Sequence, residues 1–392
     1  MRKTVLLSYN PKEHCSQAFL EKFQPGELIH YFPEATKPSL ICAYKEDQLL
    51  FHHGSPDYDL IRTHADNGAH IIVNEESYID DLITFASKHS DITTAYDDME
   101  NYKALFLKAE TKRHLKSKNI RAPHLIDSIT DIKDNKTYMM KPNLAAGAQG
   151  ARVLKGYQLK DIYTTTENIS DYCIEEYIEG TIYHFDVFVY KNEIFSIGCG
   201  KYRVPPINFY QHQEVSSILL PSTSPEWHII ESYIFEILLS FNSLPGGVLH
   251  TEVCISDTDN LPYLIEINPR TPGGKVYYAY DRMYNINLHD LHFWAQADVD
   301  FEVPSFRQPK AYYAWAYFPS QIGKVRSLNP FIPQHGSEIM MSEYFSAPGD
   351  TTTSIKSFRD KDYCLVIAHN NFDHLNKDFQ TFKTFKPANY EQ

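Results

Sequence analysis

The sequence predicts an open α/β unit at its start, an α+β body built on hairpins, and a small β-rich cap at its end. Three observations carry this. Short apolar runs alternate with helical patterns up to about residue 90, as in a parallel sheet with crossover helices. From Thr137 onward, alternating strand-like runs are joined by short polar or small-residue turns. The stretch 301–392 is rich in Tyr, Phe and Pro and holds only short strand-like runs. A chain of 392 residues is long for one core, and the pattern divides it into 1–100, 101–300 and 301–392 around a shared cleft.

In the first unit, Thr4 to Ser8 is an apolar run followed by a helical pattern around Cys15 to Phe23. Leu28 to Phe32, Ser39 to Tyr44 and His70 to Asn74 read as strands, and Ser77 to Lys88 as a helix. No Gly-rich fingerprint follows the first strand, so nothing here argues for dinucleotide binding. Asp91 to Asn101 loosens into an acidic, polar boundary. Tyr102 to Lys118 is helical, ending at Asn119 with Pro123 beyond. The strand Thr137 to Lys141 is separated by the small-residue loop Asn143 to Gly150 from the strand Ala151 to Leu154. A helix near Leu159 precedes strands at Tyr172 to Ile178, Tyr183 to Tyr190 and Glu193 to Cys199, and Pro225 to Phe241 is helical. Val248 to Ser256 and Tyr263 to Asn268 form a hairpin around Asp257-Thr258-Asp259-Asn260. Ala311 to Tyr317 and Asp362 to Ala368 are strands of the cap.

A net charge of −13 works against a broad nucleic-acid or anionic-membrane surface, but not against a nucleotide, whose phosphates need only a few local cations. Cysteines 15, 42, 173, 199, 254 and 364 show no CxxC pairing and read as reduced, buried thiols. Val5-Leu6-Leu7 is too short an apolar core for a signal peptide, and no later stretch spans a membrane. The expectation is a soluble cytoplasmic protein with small-molecule ligands and neither nucleic-acid nor membrane partners.

The strongest chemical signal is the hairpin. Glu266 and Asn268 are two apart on one strand and share a face. A hairpin centred on Asp259 sets Glu252 across from Glu266, since both lie seven residues from the turn. Two carboxylates and an amide oxygen make a hard, all-oxygen site suited to Mg²⁺ with bound phosphate. Opposed glutamates repel, which implies a cation, whereas a solvated hairpin face with incidental acids is the bland alternative. Arg270 follows, placed to hold a phosphoryl or carboxylate group.

A second signal is Lys141, which ends a strand before the loop to Gly150; its backbone N–H groups can lie over phosphates, though an ordinary hairpin loop reads the same. A third is Glu175-Glu176-Tyr177-Ile178, a strand end where backbone groups can read a base edge. Lys108, alone, reads as a solvated helical lysine. Tyr277, Tyr278, Tyr280, Tyr312, Tyr313 and Trp315 are either core or a side-chain pocket.

Taken in order, these pieces resemble the ATP-grasp superfamily over roughly residues 1 to 300, most firmly from about 103 to 275. The resemblance implies a nucleotide held between two α+β subdomains, preceded by an N-terminal α/β domain. It makes Lys108, trailed by Asn119-Ile120-Arg121-Ala122-Pro123, the first ATP lysine, with Lys103 as the fallback. Lys141 and Gly150 become the second lysine and phosphate loop, and Glu175, Glu176, Tyr177 and Ile178 the adenine hinge. The position that often carries a ribose-binding acid is Ile182, so His184 and Asp186 on the same strand face are the expected substitutes. Glu252, Glu266 and Asn268 fall on the Mg²⁺ ligands and Arg270 on the catalytic arginine, with Lys141 also catalytic.

Thr271-Pro272-Gly273-Gly274 and His250-Thr251-Glu252 resemble the carboxylate–amine ligase branch, including the L-amino-acid ligases, where Gly273 and Gly274 would receive substrate carboxylate. The chain departs from the dipeptide ligases at Ile218, where they commonly place a histidine. The resemblance implies ATP and two Mg²⁺ ions, with Mn²⁺ an allowed substitute, an acylphosphate, an amine acceptor, and a homodimer as the assembly to test. A bicarbonate-dependent carboxylase and a nucleotide-binding regulatory protein with a decayed site are the alternatives.

Overall fold

The computed structural model describes residues 3–7, 16–24, 27–33, 49–52, 55–64, 68–74, 76–96, 98–145, 147–166, 168–306 and 309–391. The expected strand Ser39 to Tyr44 lies outside them, as do Cys15 and Cys42. The first unit contains β1 (Lys3–Leu7), α1 (Gln17–Leu20), β2 (Leu28–Pro33), β3 (Leu49–His52), α2 (Tyr58–His64), β4 (Ala69–Val73), α3 (Glu76–Ala86) and β5 (Ile92–Thr94). Its sheet runs β3-β2-β1-β4-β5 with every pairing parallel. Val5, Leu7, Ile71 and Val73 bury one face of that sheet with Ile79 and Leu82 of α3. β3 was not anticipated, because Leu49-Leu50-Phe51 is too short a run to show a period.

The helix expected over 102–118 is two helices, α4 (Met99–Phe106) and α5 (Lys108–Ser117). Leu107 is extended, with φ −72° and ψ 118°, so Lys108 becomes the first residue of α5. Asn119 at φ 58° ends the pair where the sequence predicts. A small antiparallel sheet, β7-β6-β8, follows from β6 (Thr137–Pro142), β7 (Arg152–Lys155) and β8 (Tyr172–Glu176). The helix α6 (Gly156–Thr165) covers it and buries Leu159 against Tyr138 and Ile174.

The large sheet begins with β9 (Gly180–Tyr190), β10 (Glu193–Tyr202) and β11 (Val215–Leu219). After α7 (Pro225–Leu238) come β12 (Gly247–Ser256) and β13 (Pro262–Asn268), then α8 (Val276–Tyr284) and α9 (Leu288–Gln296). The end of the chain supplies β14 (Tyr312–Pro319), β15 (Gly323–Leu328), β16 (Glu338–Tyr344), β17 (Thr351–Thr352), β18 (Lys361–His369), α10 (Phe372–Gln380) and β19 (Ala388–Glu391). Eight strands form one antiparallel sheet in the order β13-β12-β9-β10-β11-β14-β18-β16. The β-rich end thus continues the sheet that carries the hairpin. α7 packs on one face through Trp227, Ile230 and Ile234; α8 and α9 cover the other through Val276, Tyr280 and Leu288. Among the described residues no helix is long and apolar enough to cross a membrane, and Cys173, Cys199, Cys254 and Cys364 are buried free thiols.

Candidate active site

The small sheet faces the β13-β12-β9-β10 half of the large one across a cavity of about 440 Å³. On its floor, Glu252 pairs with Glu266 and His250 with Asn268. The register reaches this pairing through a bulge. Ile255 pairs with Pro262, Cys254 with Tyr263 and Val253 with Leu264; Ile265 is then passed over and Glu266 comes opposite Glu252. Continued without the bulge, that register would oppose Glu252 with Ile265 and turn Glu266 to the other face. The bulge also presents the Ile265 carbonyl, which accepts from Lys141 Nζ at 3.0 Å and Lys112 Nζ at 3.1 Å.

The two glutamates sit in opposite electrostatic environments. Burial pushes the Glu252 carboxyl up, and Glu266 across the strand adds to the shift. Burial acts the same way on Glu266, but Lys108, at 3.2 Å, and Lys141 outweigh it and hold that carboxyl down. Asn268 Nδ2 donates to Glu266 Oε1 at 2.8 Å, and the Tyr202 hydroxyl donates to Glu252 Oε1 at 3.1 Å. Two half-buried, opposed carboxylates with an adjoining buried amide fit a hard divalent cation.

Lys141 Nζ lies 2.7 Å from Glu175 Oε1. Burial works against its charge, but Glu175 prevails and raises the Lys141 pKa. Lys108 does not line the cavity, and neither does Lys103. It stands behind Glu266 and donates to the loop carbonyls of Ala145 at 3.0 Å and Asn143 at 3.4 Å. A third lysine was missed. Lys112 is buried, 3.7 Å from Glu175 Oε2, and also donates to the Leu264 carbonyl. Burial brings its pKa down to about 8. Its signal was its position one helical turn beyond Lys108, on the same face.

At one end of the cavity, Glu175, Glu176, Tyr177 and Ile178 form the wall. The Glu176 and Tyr177 N–H groups donate to the carbonyls of His124 at 2.9 Å and Thr137 at 3.1 Å. The Ile178 N–H makes no hydrogen bond to a described residue. Gly147, Ala148 and Gln149 of the loop and Ala151 just after it line the cavity, while Gly150 packs against Pro142 outside it. The Tyr210 hydroxyl donates to the Gly147 carbonyl at 2.9 Å, joining this loop to the large sheet's side.

At the other end stand Arg270, Gly273 and Gly274 with Tyr202 and Trp315, while Phe358 lines the cavity against Gly147 of the loop. Gly274 is at φ 66°, and a Cβ there would lie 2.4 Å from the Trp315 ring, so only glycine fits. The turn after Arg270 is fixed by the N-terminal unit: Asn74 Oδ1 accepts from the Thr271 N–H and Asn74 Nδ2 donates to Thr271 Oγ1, each at 2.9 Å. Of the aromatics singled out in the sequence, Trp315 lines the cavity, whereas Tyr280, Tyr312 and Tyr313 pack in cores.

His184 and Asp186, expected at the ribose, do not line the cavity. Ile182 does, but farther along β9 the helix α8 folds over the same face. Asp186 Oδ2 accepts from the Tyr280 hydroxyl and His184 Nδ1, both at 2.8 Å, and Oδ1 from His250 Nδ1 at 2.6 Å. His184 Nε2 pairs with Ser217 Oγ at 2.9 Å. Gly200 makes room, since a Cβ there would fall 2.0 Å from His184 Nε2. Burial raises the Asp186 carboxyl, and the two histidines more than reverse this. Ligand atoms of His184, Asp186 and His250 lie within 4.8 Å of one another, a spacing that suits a metal, but Tyr280 and Ser217 complete them as a hydrogen-bonded network.

The profile of a family described as ATP-grasp domain matches residues 107–274, the span that contains both lysines, the hinge, the hairpin and the glycine turn. Residues 107–274 are an ATP-grasp domain. The resemblance read from the sequence is borne out, and the fold extends past the matched span. The L-amino acid ligase from Bacillus licheniformis covers 100% of both chains at 14% identity with a TM-score of 0.69. N5-Carboxyaminoimidazole synthetase from Staphylococcus aureus, complexed with ADP, covers 97% of this chain and 96% of its own at 13% identity and TM-score 0.64. The biotin carboxylase domain dimer of Hydrogenobacter thermophilus 2-oxoglutarate carboxylase, with MgADP, ADP and bicarbonate, covers 99% and 92% at 14% and 0.64. These likenesses are likenesses of fold. A comparison of the sequence with curated proteins gives no match.

Proposed function

We propose that this ATP-grasp protein is an ADP-forming ligase that joins a substrate carboxylate, through an acylphosphate, to an amine, with an amino acid or peptide as the substrate class. The observation that carries the reading is one cavity with a cation set, an opposed carboxylate pair and a base-edge strand at successive points along it. On this reading the chain is organised as residues 1–100, 101–300 and 301–392, with the nucleotide in the middle part. Adenine sits against the Glu176 carbonyl and the Ile178 N–H. Lys141 and Lys108 offset the phosphate charge, and the Asn143 to Gly150 loop excludes water. Glu252, Glu266 and Asn268 would hold Mg²⁺, which neutralises phosphate oxygens when bound. The substrate carboxylate oxygen attacks the γ-phosphorus and ADP leaves, with Arg270 stabilising charge on the transferring group. The amine nitrogen then attacks the acyl carbon and phosphate leaves.

The test is ADP release from Mg-ATP, screened over pairs of L-amino acids and other carboxylates, with Glu266→Gln beside it. The wild type should turn over with a defined carboxylate and amine, and Glu266→Gln should stay folded with little turnover. A fully active Glu266→Gln variant removes the metal assignment. Stimulation by bicarbonate, and not by amino acids, replaces the amine-ligase reading with a carboxylase one.

A further inference from the structure

The Asp186 network closes on every polar atom but one. His250 gives Nδ1 to Asp186 at 2.6 Å, while its Nε2 makes no hydrogen bond to a described residue. The ring lines the active-site cavity although only 4% of the residue is exposed. Its place along β12 is informative. Cys254 touches the hinge, with Sγ 3.7 Å from the Ile178 carbonyl; Glu252 follows at the metal pair; His250 is next on that face. At about 3.3 Å per residue, His250 stands roughly 13 Å from the hinge end, one step past the metal pair. Its cross-strand partner is Asn268, two residues before Arg270. This is where the acyl group lies if the phosphates lie over Glu252 and Glu266.

We infer that His250 is the residue that receives the amine substrate, accepting its N–H at Nε2; this rests on the ligase reading above. The hydrogen-bonding inventory favours an amine. Arg270 carries only donors, which suit the acylphosphate oxygens, and Trp315 likewise can only donate. On the ligase reading Glu252 and Glu266 face the cation, and they already meet Tyr202 at one and Asn268 and Lys108 at the other. An attacking amine needs an acceptor beside the acyl carbon, and on this strand face His250 supplies it. Asp186 can only accept, so Nδ1 donates to it, and in the neutral ring Nε2 is the acceptor nitrogen left for the cavity. Tyr280 and His184 hold Asp186 in turn, so the ring is oriented before the substrate arrives. The fully buried hub thereby acquires a purpose that a ribose-binding role would not explain.

The test uses the intact protein with Mg-ATP, a panel of L-amino acids as carboxylates, and hydroxylamine as the amine. Hydroxamate is read by its ferric colour and ADP by a coupled assay. His250→Leu should raise the KM for hydroxylamine by about tenfold while the KM for ATP moves by less than about threefold. His250→Gln, whose amide oxygen can reach toward the Nε2 position, should recover part of that loss. Tyr280→Phe, which loosens the hub without touching the cavity, should raise the hydroxylamine KM by a few-fold. If His250→Leu fails to fold, His250→Gln and Tyr280→Phe carry the test. An unchanged hydroxylamine KM in the folded variants overturns the assignment, as does a rise confined to the carboxylate or ATP. A wild type that forms neither hydroxamate nor ADP with any carboxylate overturns the ligase reading itself, and this inference falls with it.

Discussion

Lys141→Met removes the cation at the centre of the cleft and leaves Glu175 behind. Both side chains are buried, and the pair is held at 2.7 Å with a further bond from Lys141 to Ile265. Breaking a buried pair by removing one partner costs about 3–5 kcal/mol, because the remaining charge is stranded. Lys112 still stands 3.7 Å from Glu175, which places this case at the low end, about 3 kcal/mol. At roughly 2–4 °C per kcal/mol for a unit of this size, the melting temperature should fall by about 6–12 °C. Adding Glu175→Gln removes the stranded charge and should restore at least half of that loss. Activity should not follow. A charge-assisted contact to phosphate contributes about 1.5–3 kcal/mol, so kcat/KM for ATP should fall about 10- to 150-fold in both the single and the double variant. Thermal denaturation and ADP release on the four proteins of the cycle measure both. Independent, additive losses of stability from the two substitutions would refute the buried-pair argument. A Lys141→Met variant within twofold of wild type would remove Lys141 from the nucleotide site.

Three further outcomes follow from the geometry. The Glu252 pKa is raised in the fold, so ionising that carboxyl destabilises the protein as pH rises from its unfolded value; Glu252→Gln should melt progressively higher than wild type, without metal, between about pH 5 and pH 8. A difference that shrinks or reverses with pH contradicts the carboxylate opposition. Tyr202→Phe removes the donor to Glu252 Oε1 and should raise the Mg²⁺ concentration for half-maximal activity by about tenfold, measured by metal titration; an unchanged Mg²⁺ dependence contradicts the link. Gly274→Ala drives a methyl into Trp315 at a left-handed backbone position and should cost about 2–4 kcal/mol in denaturant titration. A wild-type denaturation midpoint would contradict that packing.

Much of the site was legible because it is local. The lysine-loop, the hinge and the Glu252–Glu266 pair each lie within one hairpin or strand end, where alternation and spacing decide which side chains share a face. Even there, symmetric counting from Asp259 reached the correct pairing only because the Ile265 bulge adds the residue that the actual turn centre lacks. Bulges leave no period in the sequence. The break at Leu107 was hidden for a similar reason, since Leu105, Phe106 and Leu107 keep an apolar pattern across it. His184 and Asp186 were correctly placed on the face of Ile182, but alternation within β9 says nothing about α8, almost a hundred residues on, covering that face. Lys112 looked like one of several helical lysines because its partners, Glu175, Leu264 and Ile265, come from two distant strands. Tyr210 and Phe358 were invisible as lining residues, being brought to the cleft only by the assembled sheet.

The central claim is that this cleft activates a carboxylate by phosphorylation. The direct measurement is isotope transfer: Mg-ATP, an amine and the carboxylate found by the ADP screen, labelled with oxygen-18, followed by phosphorus NMR of the products. The account predicts ADP together with inorganic phosphate that carries one oxygen-18 per turnover from the carboxylate. AMP and pyrophosphate, or ADP with unlabelled phosphate, would contradict it.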